Sequence, residues 1–170
     1  MIKPDFTKIP TYFHRYVQRV KEEDLISALT DQEKSFSLII QNIPEDKWDF
    51  KYEQNKWTIK ELILHCIDTE RIFAYRALCI ARKETADMHP FDENSYAFHS
   101  KANNRSTNSL KEEFSLIRKS TTILFQGFDQ EQLNSEGKVS KQSIYVGGIG
   151  FIIVGHMMHH EQILLEKYLK

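Results

Sequence analysis

The sequence predicts an all-α protein, a four-helix bundle with one long crossover, on three observations. Glycine (6) and proline (4) are scarce in 170 residues, too few for the many turns of an all-β domain. Apolar residues recur at helical spacing in four separate stretches. Two of those stretches open with Ser/Thr-x-x-Glu, the pattern by which a helix start satisfies its own free N–H groups.

The elements follow in order. Residues 1–21 are expected to be an N-terminal extension or a short helix from Thr11. The first long helix spans about 22–43, with Leu25, Leu29, Phe36, Ile39, Ile40 and Ile43 on one face and Gln32 filling the row; Pro44 stops it. The second opens at the capping box Thr58-Ile59-Lys60-Glu61, with Trp57 placed as a hydrophobic staple. It runs to about Arg82, roughly 36 Å at 1.5 Å per residue. The third opens at Ser109-Leu110-Lys111-Glu112, a second capping box, carries the stripe Leu110, Phe114, Ile117, Thr121 and Leu124, and ends near Gly127. The fourth starts near Ser140 or Ser143 and reaches about Leu169. Gly147, Gly148, Gly150 and Gly155 lie within it, each costing about 1 kcal/mol against alanine. They signal either a late start near Gly150 or close approach to a neighbour; a helix with a weak first turn is the favoured reading. Essentially no sheet is expected. Residues 83–108, 26 in all, are long enough to cross the bundle, so the second and third helices can run parallel.

Composition narrows function. One domain over 1–170 suits 20.1 kDa, and 41% hydrophobic with 12% aromatic residues marks a globular chain. Lys and Arg number 23 against 24 Asp and Glu, a net charge of −1, which argues against nucleic-acid binding by bulk charge. Two cysteines exclude a disulfide scaffold, and Cys66 and Cys79 lie on one helix about 20 Å apart. The first residues carry no apolar signal region, and the uncharged run 144–158 is too short and glycine-rich for a membrane span. The expectation is a soluble, cytoplasmic domain.

The histidines carry the chemistry. In Gly155-His156-Met157-Met158-His159-His160-Glu161, His156 and His160 are four apart and share a helical face with Ile149, Ile152, Ile153 and Ile163. Such a pair can bind one metal ion. On an exposed face it would be polar filler; on an apolar face a buried imidazole must find a partner. His159 falls about 80° away, at the flank. In the second helix His65 shares a face with Glu61, Thr69, Ile72 and Arg76, with Asp68 at its edge. Alone it reads as a satisfied core histidine; facing the other two it completes a set of three imidazoles suited to Zn²⁺, Ni²⁺ or Fe²⁺. Met157 stands where a zinc protease helix has glutamate, which excludes that class.

These residues resemble a known family. Trp57-Thr58-Ile59-Lys60-Glu61, then His65-Cys66-Ile67-Asp68-Thr69-Glu70, Phe73-Ala74-Tyr75-Arg76, Phe91-Asp92-Glu93-Asn94-Ser95-Tyr96 and Gly155-His156-Met157-Met158-His159-His160 are similar, in that order, to the signatures of the DinB-like superfamily. The resemblance runs from about residue 26 to 170. It implies an up-down-down-up bundle, a metal held by His65, His156 and His160, and a homodimer. Family members include bacillithiol-dependent transferases, mycothiol-dependent maleylpyruvate isomerases and proteins described as metal-dependent hydrolases.

A metal on neutral imidazoles lowers the pKa of a bound water or thiol, giving hydrolysis or thiol-dependent transfer to a small molecule. Asp68, one turn past His65, and Asn94 or Tyr96 from the crossover are the candidate catalytic helpers. Arg76, about 16 Å along the axis from His65, is expected to form a buried ion pair with an Asp or Glu. The rival readings are a metal- or ligand-binding stress protein without turnover, and a helical interaction module.

Overall fold

The computed structural model describes residues 3–170, and 66% of them are helical. Seven α-helices occur in the described chain: α1 (Thr11–Val17), α2 (Leu25–Gln41), α3 (Ile59–Ala81), α4 (Glu93–His99), α5 (Thr107–Gln126), α6 (Gln130–Asn134) and α7 (Val146–Ile163), which ends in a π-helical turn, Leu164–Tyr168. The long helices α2, α3, α5 and α7 are the expected four. Asp24 caps α2 by accepting from the Ser27 N–H at 3.0 Å. At α3 both halves of the Thr58/Glu61 capping box form.

Two helix starts differ from expectation. Helix α5 is capped by Ser106, whose hydroxyl accepts from the Ser109 N–H at 3.2 Å. Ser109 sits inside the helix, with its own hydroxyl taken by Arg105. The earlier start buries Thr107, which donates to Glu45 at 2.9 Å. Helix α7 begins after Ser143 because a hairpin precedes it: β1 (Glu136–Val139) pairs antiparallel with β2 (Gln142–Tyr145). Its two-residue turn, Ser140-Lys141, takes φ of 51° and 66°, the double positive φ that hairpin turns use. Neither residue is the usual glycine or asparagine, so the turn left no signal. The crossover contains α4 and a 3₁₀ turn, Ala102–Asn104.

The glycines of α7 serve close packing. A Cβ on Gly155 would lie 2.2 Å from the Tyr16 carbonyl oxygen, and one on Gly150 would lie 2.6 Å from the Leu25 side chain. These positions let α1 and α2 lie against α7, which is buried on nearly every face of its first three turns.

Contacts fix the topology. Leu25 lies beside Gly150 and Gln32 bonds Glu161, so α2 and α7 run parallel. His65 meets His156 while Trp57 meets Tyr168, so α3 opposes α7. Phe36 packs on Phe114 and Leu29 bonds Arg118, so α5 opposes α2 and runs parallel to α3. The order is up-down-down-up, with α2 and α3 each lying against both α5 and α7.

The apolar core forms two clusters. A buried polar layer separates them: Gln32 stands between Leu29 and Phe36, Glu70 between Ile67 and Phe73, and Arg118 between Phe114 and Phe125. The Arg118 guanidinium donates to both Glu70 carboxylate oxygens at 2.9 Å, to the Leu29 carbonyl at 3.2 Å and to the Gln32 side chain. No helix among the described residues is long and apolar enough to cross a membrane.

Candidate metal centre

Antiparallel packing of α3 and α7 brings His65 onto the face that carries His156 and His160. The Nε2 of His156 lies 3.2 Å from that of His65 and 3.1 Å from that of His160. One donor atom from each of the three lies within 4.8 Å of the others. A neutral imidazole nitrogen offers one proton or one lone pair, so His156 Nε2 cannot make both contacts as ordinary hydrogen bonds. Two nitrogens about 2.1 Å from a common ion at a tetrahedral angle lie about 3.4 Å apart, close to these spacings. The donor set is therefore placed to take one divalent ion. His160 Nδ1 is buried without a protein partner among the described residues.

Electrostatics favours ligand-competent imidazoles. Burial pushes the His65 pKa down to about 4, aided by His159. Burial also holds His156 and His160 well below the ordinary histidine range, each further lowered by the neighbouring imidazoles. All three are neutral at pH 7, the form that binds metal. Trp57 lies against His65 with ring centroids 4.7 Å apart, so it packs on the site as well as preceding the cap. Its carbonyl accepts from the Tyr168 hydroxyl at 2.7 Å. Tyr16 of α1 sets its ring edge-on to His156 at 5.5 Å and to His159 at 5.4 Å.

The three histidines line a cavity of about 560 Å³, within the range of small-molecule sites. Its walls are Tyr12, Phe13, Arg15 and Tyr16 of α1, Trp57, Thr69, Phe73 and Arg76, Pro90, Phe91 and Glu93 from the crossover, Val139 to Ile144 of the hairpin in part, and Ile149 and Ile152. The crossover thus reaches the site, through residues other than those expected. Asn94 is exposed and absent from the lining. Tyr96 is also outside it and packs on Phe91 at 5.3 Å. Asp92 caps α4, accepting from the Asn94 and Ser95 N–H groups. Asp68 does not line the cavity; it faces Arg71 at 3.7 Å, and burial raises its carboxyl pKa against the pull of Arg71. His159 flanks the three, half-buried, and lines the cavity. Burial pushes the Cys66 thiol pKa up, which removes it as a nucleophile.

Arg76 corrects its expectation outright. It is buried but pairs with no carboxylate among the described residues. The fully buried interhelical ion pair belongs to Arg118, which sequence reading passed over. Also missed were Tyr16 and the hairpin residues. The aromatic run Tyr12-Phe13 and Tyr16, spaced four apart on a short helix, was the available signal for α1.

Comparison with known proteins places the chain. Residues 28–164 match the family model described as the DinB superfamily, and the chain belongs to that superfamily. No curated protein matches it by sequence. Among solved structures, YfiT from Bacillus subtilis, described as a probable metal-dependent hydrolase with an unusual four-helix bundle topology, aligns at TM-score 0.75 and 16% identity over 96% of this chain and 90% of its own. The mycothiol-dependent maleylpyruvate isomerase aligns at TM-score 0.69 and 9% identity over 95% of this chain and 62% of its own. The DinB-like protein YjoA from Bacillus subtilis aligns at TM-score 0.61 and 16% identity, over 83% and 86%. At these identities the likeness is one of fold.

Proposed function

We propose that this protein is a metal-dependent enzyme in which His65, His156 and His160 hold one divalent ion, Zn²⁺, Ni²⁺ or Fe²⁺, and which acts on a small molecule by hydrolysis or by transfer dependent on a low-molecular-weight thiol. The observation that carries this reading is the convergence of three neutral imidazole nitrogens on one point of a cavity wall. When bound, the ion supplies Lewis acidity, lowering the pKa of a water or thiol in its open positions. The chain supplies the rest. Trp57 and Tyr16 pack on the imidazoles, fixing ring orientation and excluding bulk water. Phe73, Ile149 and Ile152 give the substrate body an apolar wall. His159 stands at the flank, where it can exchange a proton with the reacting group. Two fold neighbours described as a probable metal-dependent hydrolase and a mycothiol-dependent isomerase support the two branches.

A homodimer is part of the proposal. The adjacent helices α2 and α5 expose Leu38, Leu116 and Ile123, and light scattering is expected to give a mass near twice the 20.1 kDa of the chain; a mass near 20.1 kDa across micromolar concentrations would contradict the dimer. The activity test compares metal-replete with chelator-stripped protein on ester, amide and alkyl-halide substrates. Each is run in water alone and with bacillithiol, mycothiol or glutathione. Turnover that needs both metal and His156 supports the enzyme. Metal binding without any turnover favours a binding protein instead.

A further inference from the structure

We propose that Arg76 is the anion-recognition residue of this cavity, so that the small molecule it takes carries a carboxylate at the end away from the three histidines. The inference rests on reading the cavity as the substrate site, and it does not require the metal.

Arg76 lies on the same face of α3 as His65 and Thr69, three turns further on, about 16 Å along the axis. All three side chains line the one cavity. Arg76 is 5% exposed, a depth at which an arginine needs a counter-charge. Its hydrogen-bond partner in the described chain is the His89 carbonyl, at 2.7 Å. Arg118 shows what satisfaction looks like in the same bundle: it is fully buried, makes four hydrogen bonds and faces a carboxylate squarely. Arg76 keeps its fork for something else. Glu93 also lines the cavity, but it is exposed and beyond ion-pair distance.

The guanidinium is held in place. It lies over the Phe73 ring at 5.1 Å and near Phe91 at 5.9 Å. The carbonyl it bonds belongs to a segment pinned to the hairpin, since Met88 exchanges hydrogen bonds with Lys138 and Ser140 at 3.0 Å. A planar, fixed guanidinium with free N–H groups matches a carboxylate in two-point contact. One buried positive charge among aromatic rings balances one negative charge; a phosphate dianion would leave a charge uncompensated. Between Arg76 and the histidines the walls are mostly apolar, with Phe13, Ile149 and Ile152, and Thr69 adds one hydroxyl. The ligand class is therefore an amphipathic organic acid, its apolar body spanning the gap and its other end at the imidazoles.

The test uses 4-phenylbutyrate and its neutral isostere 4-phenylbutanamide as probes. Titration calorimetry is run on full-length protein, zinc-loaded and chelator-stripped, with zinc content measured in parallel. The wild type is expected to bind the acid about tenfold or more tighter than the amide in both metal states. Arg76→Gln should abolish that preference and Arg76→Lys should keep part of it, with zinc content and helicity unchanged. Equal affinity for acid and amide, or binding of neither at millimolar concentration, overturns the proposal. So does a preference that survives Arg76→Gln, or one that vanishes on stripping the zinc, which would put the carboxylate on the metal. The zinc content of the wild type decides the metal reading separately.

Discussion

Two buried polar constellations lie one helical turn or so apart along α3, and they are built on opposite rules. Around Glu70 and Arg118 opposite charges meet, each carboxylate oxygen takes an N–H at 2.9 Å, and α2 adds two acceptors, the Leu29 carbonyl and the Gln32 side chain. Around His65, His156 and His160 the groups are alike, their nitrogens point at one another, and His160 Nδ1 has no partner among the described residues. The first cluster is complete as it stands and divides two apolar clusters. The second does not satisfy itself, which is what the proposed metal site requires of its ligands. A buried polar network that satisfies itself serves the fold; one that converges without satisfying itself marks a site.

The contrast breaks first at Arg118. Arg118→Met leaves the buried Glu70 carboxyl without its partner, which should cost about 3–5 kcal/mol and lower Tm by roughly 10 °C or more. Adding Glu70→Leu should recover much of the loss. Thermal melts of the two variants beside metal-free His156→Ala check this. If Arg118→Met is neutral and His156→Ala unfolds the protein, the roles assigned to the two clusters are reversed.

Acid should act next, and through the histidine cluster. In metal-free protein the folded His65 pKa of about 4 lies below the unfolded value of 6.5. Between those values the unfolded chain binds the proton and the folded chain does not, so stability falls as pH drops from about 6.5 to 4 and this contribution levels off below. The loss from His65 is on the order of 3 kcal/mol. Urea melts across that window should show a flatter pH dependence in His65→Asn; an unchanged slope would place the titration elsewhere.

Gly155→Ala should give the smallest effect, about 1–3 kcal/mol, because the added methyl meets the Tyr16 backbone and must push α1 away. Since Tyr16 covers His156 and His159, the same change should admit solvent to the imidazoles. Denaturant melts give the stability, and acceleration of diethyl pyrocarbonate labelling at His156 or His159 reads the opening.

What the sequence revealed follows from how local each signal is. The spacing of His156 and His160, their place in an apolar row and the position of His65 on its own helix are properties of single helices, so the meeting of all three could be anticipated. The Thr58/Glu61 box is likewise local. The start of α5 was misread because Ser109 has the capping-box glutamate, Glu112, three residues on, whereas the helix is capped by Ser106 alone, with Thr107 buried against Glu45. The hairpin was hidden by a turn of serine and lysine at positive φ. The partner of an interhelical arginine is a tertiary fact: Arg76 and Arg118 look alike along the chain, and only packing gives Glu70 to one of them. Asn94 and Tyr96 sat in a stretch that promised polar groups near the site. Once Asp92 caps α4, that helix leaves Pro90, Phe91 and Glu93 on the cavity instead.

The central claim, that His65, His156 and His160 form one divalent-metal site with His159 outside it, is tested most directly by elemental analysis of the purified protein and four alanine variants. The account predicts about one divalent ion per chain in the wild type and in His159→Ala, and loss of most of it in His65→Ala, His156→Ala and His160→Ala, because two imidazoles hold such an ion far less well than three. Retention of metal in all four variants, or loss in His159→Ala with retention in His160→Ala, would contradict it.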